Sequence, residues 1–536
     1  MRTTFEVLAR TPNEAAAELL LPALDSSYAA INEGALRAIF DRRNAAGQRE
    51  VLHRLHQVSE PWKAILDQAR GRMSLALRDA IMDHDTQLCT NACQALVAFK
   101  EYDLMPALVS VLEDETHPHV KLAAKTLLEL AELVYGELAA PRDFRNRRDP
   151  QVVRRNLTAT LELSVARYAK HQRKEVIEAF LLLAHKDNET LKRLLTDPHH
   201  AGYLAIVDVL SHSHRGGILR LLLSYLDNAH APSVCLHIIA HRTDLKFVQY
   251  LLARIGSDPS ETVLANLRRI DSITWAKAGR SLDELDGTVQ AVAVRTILAS
   301  NMKRLEAFSA IERLSKQGKD EGRRAAVAAL AEFSGAEANA AVLGALDDPD
   351  PEVQAAAIRQ LRQRGIPGAL ASLIDKLDSP QAIVRQAARD SLSEFTIQRL
   401  IAAYDTLDDD VRHSTGEVVK KVDPNTIPYL ADEFASRSRS RKLRALDAAI
   451  MLELAPQMEA NFINLLRNDR DHVVRIEAVR GLQQCTSAAA IEALRAARYD
   501  HSPLVEEAVQ QSLAQIGKRG VSGDTTAVHA QGAADA

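Results

Sequence analysis

An all-α, right-handed superhelical solenoid is the fold class that the sequence predicts, and three observations predict it. A turn followed by an amphipathic helix recurs about every thirty residues, inside the range of roughly 20–50 that marks a repeat array. The chain has 536 residues, too many for one conventional core. That limit vanishes when each repeat packs only on its neighbours. Aromatic residues make up 4% of the chain against 46% hydrophobic residues, so small and aliphatic side chains dominate. That balance suits packed helices rather than β-structure. Roughly fifteen or sixteen helix pairs fit the length.

The unit is clearest at Leu377–Leu392. Leu377 ends one apolar-periodic run, and Asp378, Ser379 and Pro380 break it. Asp and Ser oxygens accept hydrogen bonds from the orphan N–H groups of a helix start. Pro suits the first helical turn, where no intrahelical donor is needed. Val384, Ala387, Ala388 and Leu392 then recur at helical spacing as one apolar stripe. Small Ala residues in mid-stripe let a neighbouring helix approach closely. One such pair cannot bury its own face, and further copies supply the neighbours. Asp348-Pro349-Asp350-Pro351 leads to Val353, Ala356, Ala357 and Leu361, and Asp469 leads to Val474, Arg475, Ala478 and Leu482. Asp500 leads to Val505, Ala508, Val509 and Leu513, and Asp114 leads to Val120, Ala123, Ala124 and Leu127. Asp408–Arg412 is a weaker copy.

This Leu-x-Asp…Pro…Val-Arg-x-x-Ala-x-x-Ala/Val-Leu pattern resembles HEAT repeats, especially the short bacterial type also called phycobilisome-lyase-like. The resemblance is strong over about 337–516 and fair over about 80–135. It implies a ladder between repeats in which turn Asp and helix Arg take part. Asp378, Arg385, Asp469 and Arg475 are thereby assigned to structure.

Taken in order, residues 1–135 read as N-terminal repeats, with helices at Glu14–Leu24, Tyr28–Arg43 and Gln48–Val58. Leu88, Ala92, Ala95, Leu96 and Phe99 form the next stripe, followed by helices over Met105–Leu112 and His119–Val134. Residues 136–310 read as divergent helical repeats with a basic loop, Pro141–Pro150, in which the Val-Arg signature is mostly lost. Residues 311–517 are regular again, and Gly517 is expected to end the last helix. Residues 518–536 are rich in Gly, Ser, Thr and Ala without periodicity and are expected to be disordered.

The formal net charge of −4 implies no strong overall attraction to nucleic acid or an anionic membrane. Cys89, Cys93, Cys235 and Cys485 show no paired framework, which points to a reducing compartment and a cytoplasmic location. The N-terminus is not a signal peptide, and no apolar run approaches the roughly 18 residues of a membrane span.

Phosphate-loop, dinucleotide, nucleophile-elbow and His-Glu-x-x-His signatures are absent. None of the eighteen histidines is followed by Glu, unlike the HEAT-like deoxyhypusine hydroxylases with their di-iron site. The expectation is a non-enzymatic scaffold or adaptor that needs no cofactor and binds a protein or peptide partner. Arg142, Arg145, Arg147 and Arg148 in the basic loop are its candidate partner contacts. Two alternatives stay open. A nucleic-acid-associated solenoid would use this loop, with Arg154, Arg155, Lys170, Arg173 and Lys174, or the Ser436–Arg444 segment against phosphates. A metal-dependent enzyme or lyase-like protein would draw on Cys235, His212, His214, His237 and His241, since residues i and i+4 share a helix face.

Overall fold

The computed structural model describes residues 2–57, 60–69, 71–141, 149–277 and 282–530, with side chains at 2, 60–61 and 517–530 excepted. Every regular element among these residues is helical, so the chain is an all-α solenoid of stacked helices. It divides into two compact units, Met1–Ala310 and Ile311–Ala536.

In the N-terminal unit the local rules act as expected at Thr86–Phe99. Asp85 accepts from the Leu88 N–H at 2.8 Å and starts the helix. Lys100 ends it in the left-handed conformation at φ 55°. The face carrying Leu88, Ala92, Ala95 and Leu96 is buried, with Cys89 and Cys93 beside it. That face packs against helices Ala45–His53, Ser74–Ile81 and Val120–Ala139. The helix expected over Gln48–Val58 is instead Ala45–His53, capped by Asn44, followed by a short 3-10 turn at Leu55–Gln57. The helix that follows the basic loop is Pro150–Ala166, with Asp149 as cap and Pro150 in the first turn. Trp62 and Trp275 are both buried and serve as packing residues.

The divergent repeats are stacked by side chains that reach main-chain carbonyls. Buried Asn266 donates to the carbonyls of Leu226 and Asn228, both at 2.9 Å. Arg242, 5% exposed, donates to the carbonyls of Leu210 at 2.9 Å and Ser213 at 3.1 Å. Its guanidinium also bonds Asp244 and lies 4.5 Å from the centre of the Phe247 ring. Arg154 and Arg173 donate in the same way to Leu183 and Leu112. Each acceptor is at or near a helix C-terminus, where carbonyls have no intrahelical partner.

The C-terminal unit has carbonyl contacts of this kind too, such as Gln484 to the Ile450 carbonyl at 2.9 Å, and adds a second acceptor, the turn carboxylate. Arg323 binds both oxygens of Asp348, at 2.9 and 3.1 Å, and Arg475 binds both oxygens of Asp500, at 2.9 and 2.7 Å. Lys442 pairs with Asp469. These are rungs between consecutive repeats, as the HEAT resemblance implies for Asp469 and Arg475. Arg385 departs from the expectation. It donates to the carbonyls of Ser379 and Pro380 in its own turn, at 2.8 and 2.9 Å. Asp378 is paired with Lys421 instead, at 2.5 Å.

The cap chemistry also varies between copies. Asp350 and Asp471 cap Pro351–Leu361 and His472–Leu482 through the N–H groups of Glu352 and Val473, both at 2.9 Å. At the parent stretch the helix begins at Ala382, and its N-cap Gln381 makes no side-chain cap bond. Pro380 therefore precedes the helix rather than opening it. Val384, Ala387, Ala388 and Leu392 are all buried, as their spacing requires.

One apolar cluster runs from Ile397 to Val509, and the Val384–Leu392 stripe lies outside it. A polar bond spans that step: Arg389 donates to the Lys421 carbonyl at 3.1 Å. The final helix is Pro503–Ala530, so Gly517 does not end it. A glycine inside a helix costs only about 1 kcal/mol relative to Ala, too little to force a stop by itself.

Candidate partner-binding surface

Arg142, Arg145, Arg147 and Arg148 lie outside the described residues. The second basic segment is described, and most of its charge is spent internally. Arg439 pairs with Asp471 at 3.0 Å, Arg444 with Asp405 at 2.5 Å, and Arg441 with buried Glu433. The Arg441 guanidinium holds the Glu433 carboxyl below its ordinary range, against the opposing effect of burial. Lys442 forms the rung to Asp469. Arg437 remains exposed and has no partner among the described residues.

The histidines of the middle region are not drawn into one centre. His237 and His241 stack with ring centroids 3.9 Å apart, and His241 Nδ1 lies 2.8 Å from the His237 carbonyl oxygen. Burial, with His241 beside it, pushes the His237 pKa down. His212 Nδ1 faces the carbonyl and carboxylate of Asp208, whereas His214 lies beside Asp244. Cys235 is fully buried, and burial pushes its thiol up to about 12. Among the described residues no group of three or more His, Cys, Asp or Glu is placed to hold a metal ion.

What the divergent repeats do build is a groove in the N-terminal unit. Two adjoining hollows of about 400 and 710 Å³ share Tyr135, Arg220, Ser224 and Arg254. A third, of about 380 Å³, shares Gln151, Arg154 and His185 with the first. The contributing helices include Val120–Ala139, Pro150–Ala166, Lys174–Leu183, Gly216–Ser224 and Leu245–Ile255. Gly217 shapes the floor. A Cβ there would come within 2.9 Å of Leu182 and 3.1 Å of the Tyr135 ring, so the absent side chain lets both close in. The Arg220 guanidinium sits 5.9 Å from the centre of the Tyr135 ring. Tyr250 is 50% exposed at the other wall.

The charges around the groove are not all spoken for. Arg254 pairs with Asp227, and Glu162 accepts from Asn188. Arg155, Lys186 and Arg220 have no ion-pair partner among the described residues. Sequence reasoning noted Arg155 within a basic run but missed Arg220, Lys186 and the tyrosines. They are far apart in the chain, and the local signal at Arg220 is only the Gly216-Gly217 pair at the start of its helix.

Residues 309–393 and 459–527 match the family model for HEAT repeats. The chain is thus an α-solenoid that carries HEAT repeats over these two stretches. No curated protein matches the chain. Similar solved structures include a chain from work on the interaction between cadherin and beta-catenin. It is 15% identical, with 94% of this chain and 99% of that chain covered, at a TM-score of 0.35. UNC-45 from Drosophila melanogaster is 16% identical, with 97% and 79% covered, at a TM-score of 0.22. Kap121p is 14% identical at a TM-score of 0.26; 96% of this chain is covered but only 55% of Kap121p, so the chain spans about half its length.

Proposed function

We propose that this solenoid is a non-enzymatic, cytoplasmic scaffold or adaptor that binds a protein or peptide partner on its surface. The observation that carries this reading is the groove of the N-terminal unit. An apolar floor, an exposed tyrosine and cations with no ion-pair partner among the described residues are what a recognition surface needs and what a stacking interface does not. The displaced groups Glu433, Cys235 and Asp500 accord with this reading, because the ion pair with Arg441, core burial and the rung to Arg475 account for them. Four free, buried cysteines accord with a reducing compartment.

A tagged pull-down of the full chain from native lysate, with and without nuclease, tests the reading. The expected result is a stoichiometric protein partner that survives nuclease. Partners that vanish with nuclease, or none at all, would overturn it. Cell fractionation that places the chain outside the cytoplasm would overturn the location alone.

A further inference from the structure

Resting on that reading, we propose that the groove between Tyr135 and Tyr250 takes an extended acidic peptide segment of the partner. The chain as a whole carries a formal charge of −4, yet this groove is locally positive. Arg155, Lys186 and Arg220 line it without an ion-pair partner among the described residues, and its two carboxylates, Asp227 and Glu162, are already engaged. A surplus of cations on an acidic chain is a complementary field for an acidic ligand.

The floor narrows the choice further. Buried Leu182 and Leu221 line the same hollow as Lys186 and Arg220, together with Tyr135. In an extended peptide, successive side chains point to opposite sides. One set of side chains then meets the leucines while the alternate carboxylates meet Arg220 and Lys186. A nucleic-acid strand would present phosphates along its whole length. It is served by a longer basic track with stacking aromatics. Tyrosines stand at the walls here, but only three of the lining cations lack an ion-pair partner among the described residues and the floor is aliphatic, which favours the peptide.

Fluorescence anisotropy on the full chain tests this with three labelled probes: a peptide of alternating Glu and Leu, its Lys-Leu counterpart, and a single-stranded oligonucleotide. The Glu-Leu peptide is expected to bind and the Lys-Leu peptide not. Arg220→Glu and Lys186→Glu should each weaken binding roughly tenfold, because reversal turns attraction into repulsion. Arg437→Glu, exposed in the C-terminal unit, should change nothing. Both variant sites have side chains at the surface or partly exposed, and unchanged circular dichroism verifies their folding.

Equal binding of both peptides, or equal weakening by Arg220→Glu and Arg437→Glu, would overturn the groove assignment. Tighter binding of the oligonucleotide, lost in Arg220→Glu, would reassign the groove to phosphate. No Glu-Leu binding, alongside a nuclease-resistant partner in the pull-down, would sink this inference and leave the scaffold reading standing. Absence of both would remove the two together.

Discussion

The stack around Arg242 and Asn266 and the stack around Arg475 solve one problem with different acceptors. In both, a donor from one repeat reaches across to the next. In the first, it finds a main-chain carbonyl: Leu210, Ser213, Leu226 or Asn228. In the second, which has carbonyl contacts of its own, the charged donors Arg323, Lys442 and Arg475 also find a turn carboxylate: Asp348, Asp469 or Asp500. A carboxylate must be encoded by Asp at a fixed place, so the pattern repeats in the sequence. A carbonyl is supplied by any residue, so the same stacking leaves almost no trace. The region that reads as divergent is divergent in its signature and continuous in its architecture.

The largest test of this comparison is Arg242→Ala. It leaves the buried Leu210 carbonyl, the partly buried Ser213 carbonyl and Asp244 short of a donor, and removes a guanidinium from the Phe247 face. The expected loss is about 3–5 kcal/mol, since breaking a buried charged network is costly. Hydrogen exchange should report it first near Leu210 and Ser213. A loss no larger than that of a surface substitution would break the comparison. Asn266→Leu comes next, at about 2–3 kcal/mol for carbonyls stranded away from water. Urea unfolding measures both.

Arg475→Ala should cost less, about 2 kcal/mol, because both partners are partly solvated and the freed carboxylate can take water. Acidification addresses the same rungs without mutation. Burial pushes the Asp469 and Asp500 carboxyls up. The combined pull of Lys442 or Arg475, of backbone N–H donors and of nearby cations carries each below its ordinary 3.8. Their folded pKa values are thus depressed. The stability they contribute is fully present above 3.8 and is lost as pH falls through the lower folded values. Exchange near the Asp469 and Asp500 turns should therefore accelerate below that pH. In an Asp469→Asn/Asp500→Asn double variant the acid response of these turns should flatten; an undiminished response would assign it to other carboxylates. The smallest effect belongs to Arg385→Ala, below about 1 kcal/mol, because its hydrogen bonds among the described residues stay within its own turn. A cost equal to that of Arg475→Ala would mean that Arg385 is a rung after all.

These residues also mark how far the sequence could be read. The helix period, the turn spacing and the buried stripe at Val384, Ala387, Ala388 and Leu392 are local, and all were legible. The rung from Arg475 was legible because both ends belong to the repeat. The fate of Arg385 was not, since its partners are carbonyls of its own turn. The groove was hidden for a related reason. Tyr135, Arg155, Lys186 and Arg220 come from successive repeats, and only stacking brings them to one surface. The basic run of Ser436–Arg444 misled in the opposite sense. Its charges are visible in sequence, whereas Asp405, Asp469 and Asp471, which consume three of them, are remote in the chain; only Glu433 lies close by.

The amide anchor at Asn266 carries no net charge, and it lies in the same unit as the groove. Dissolved salt weakens a pull between separated ions but leaves a buried amide–carbonyl bond nearly untouched. The repeats that frame Arg220 are therefore held partly by a bond that ionic strength does not tune. A salt titration of ligand binding there becomes a gauge of the ligand's own charge, read against a frame that keeps its spacing.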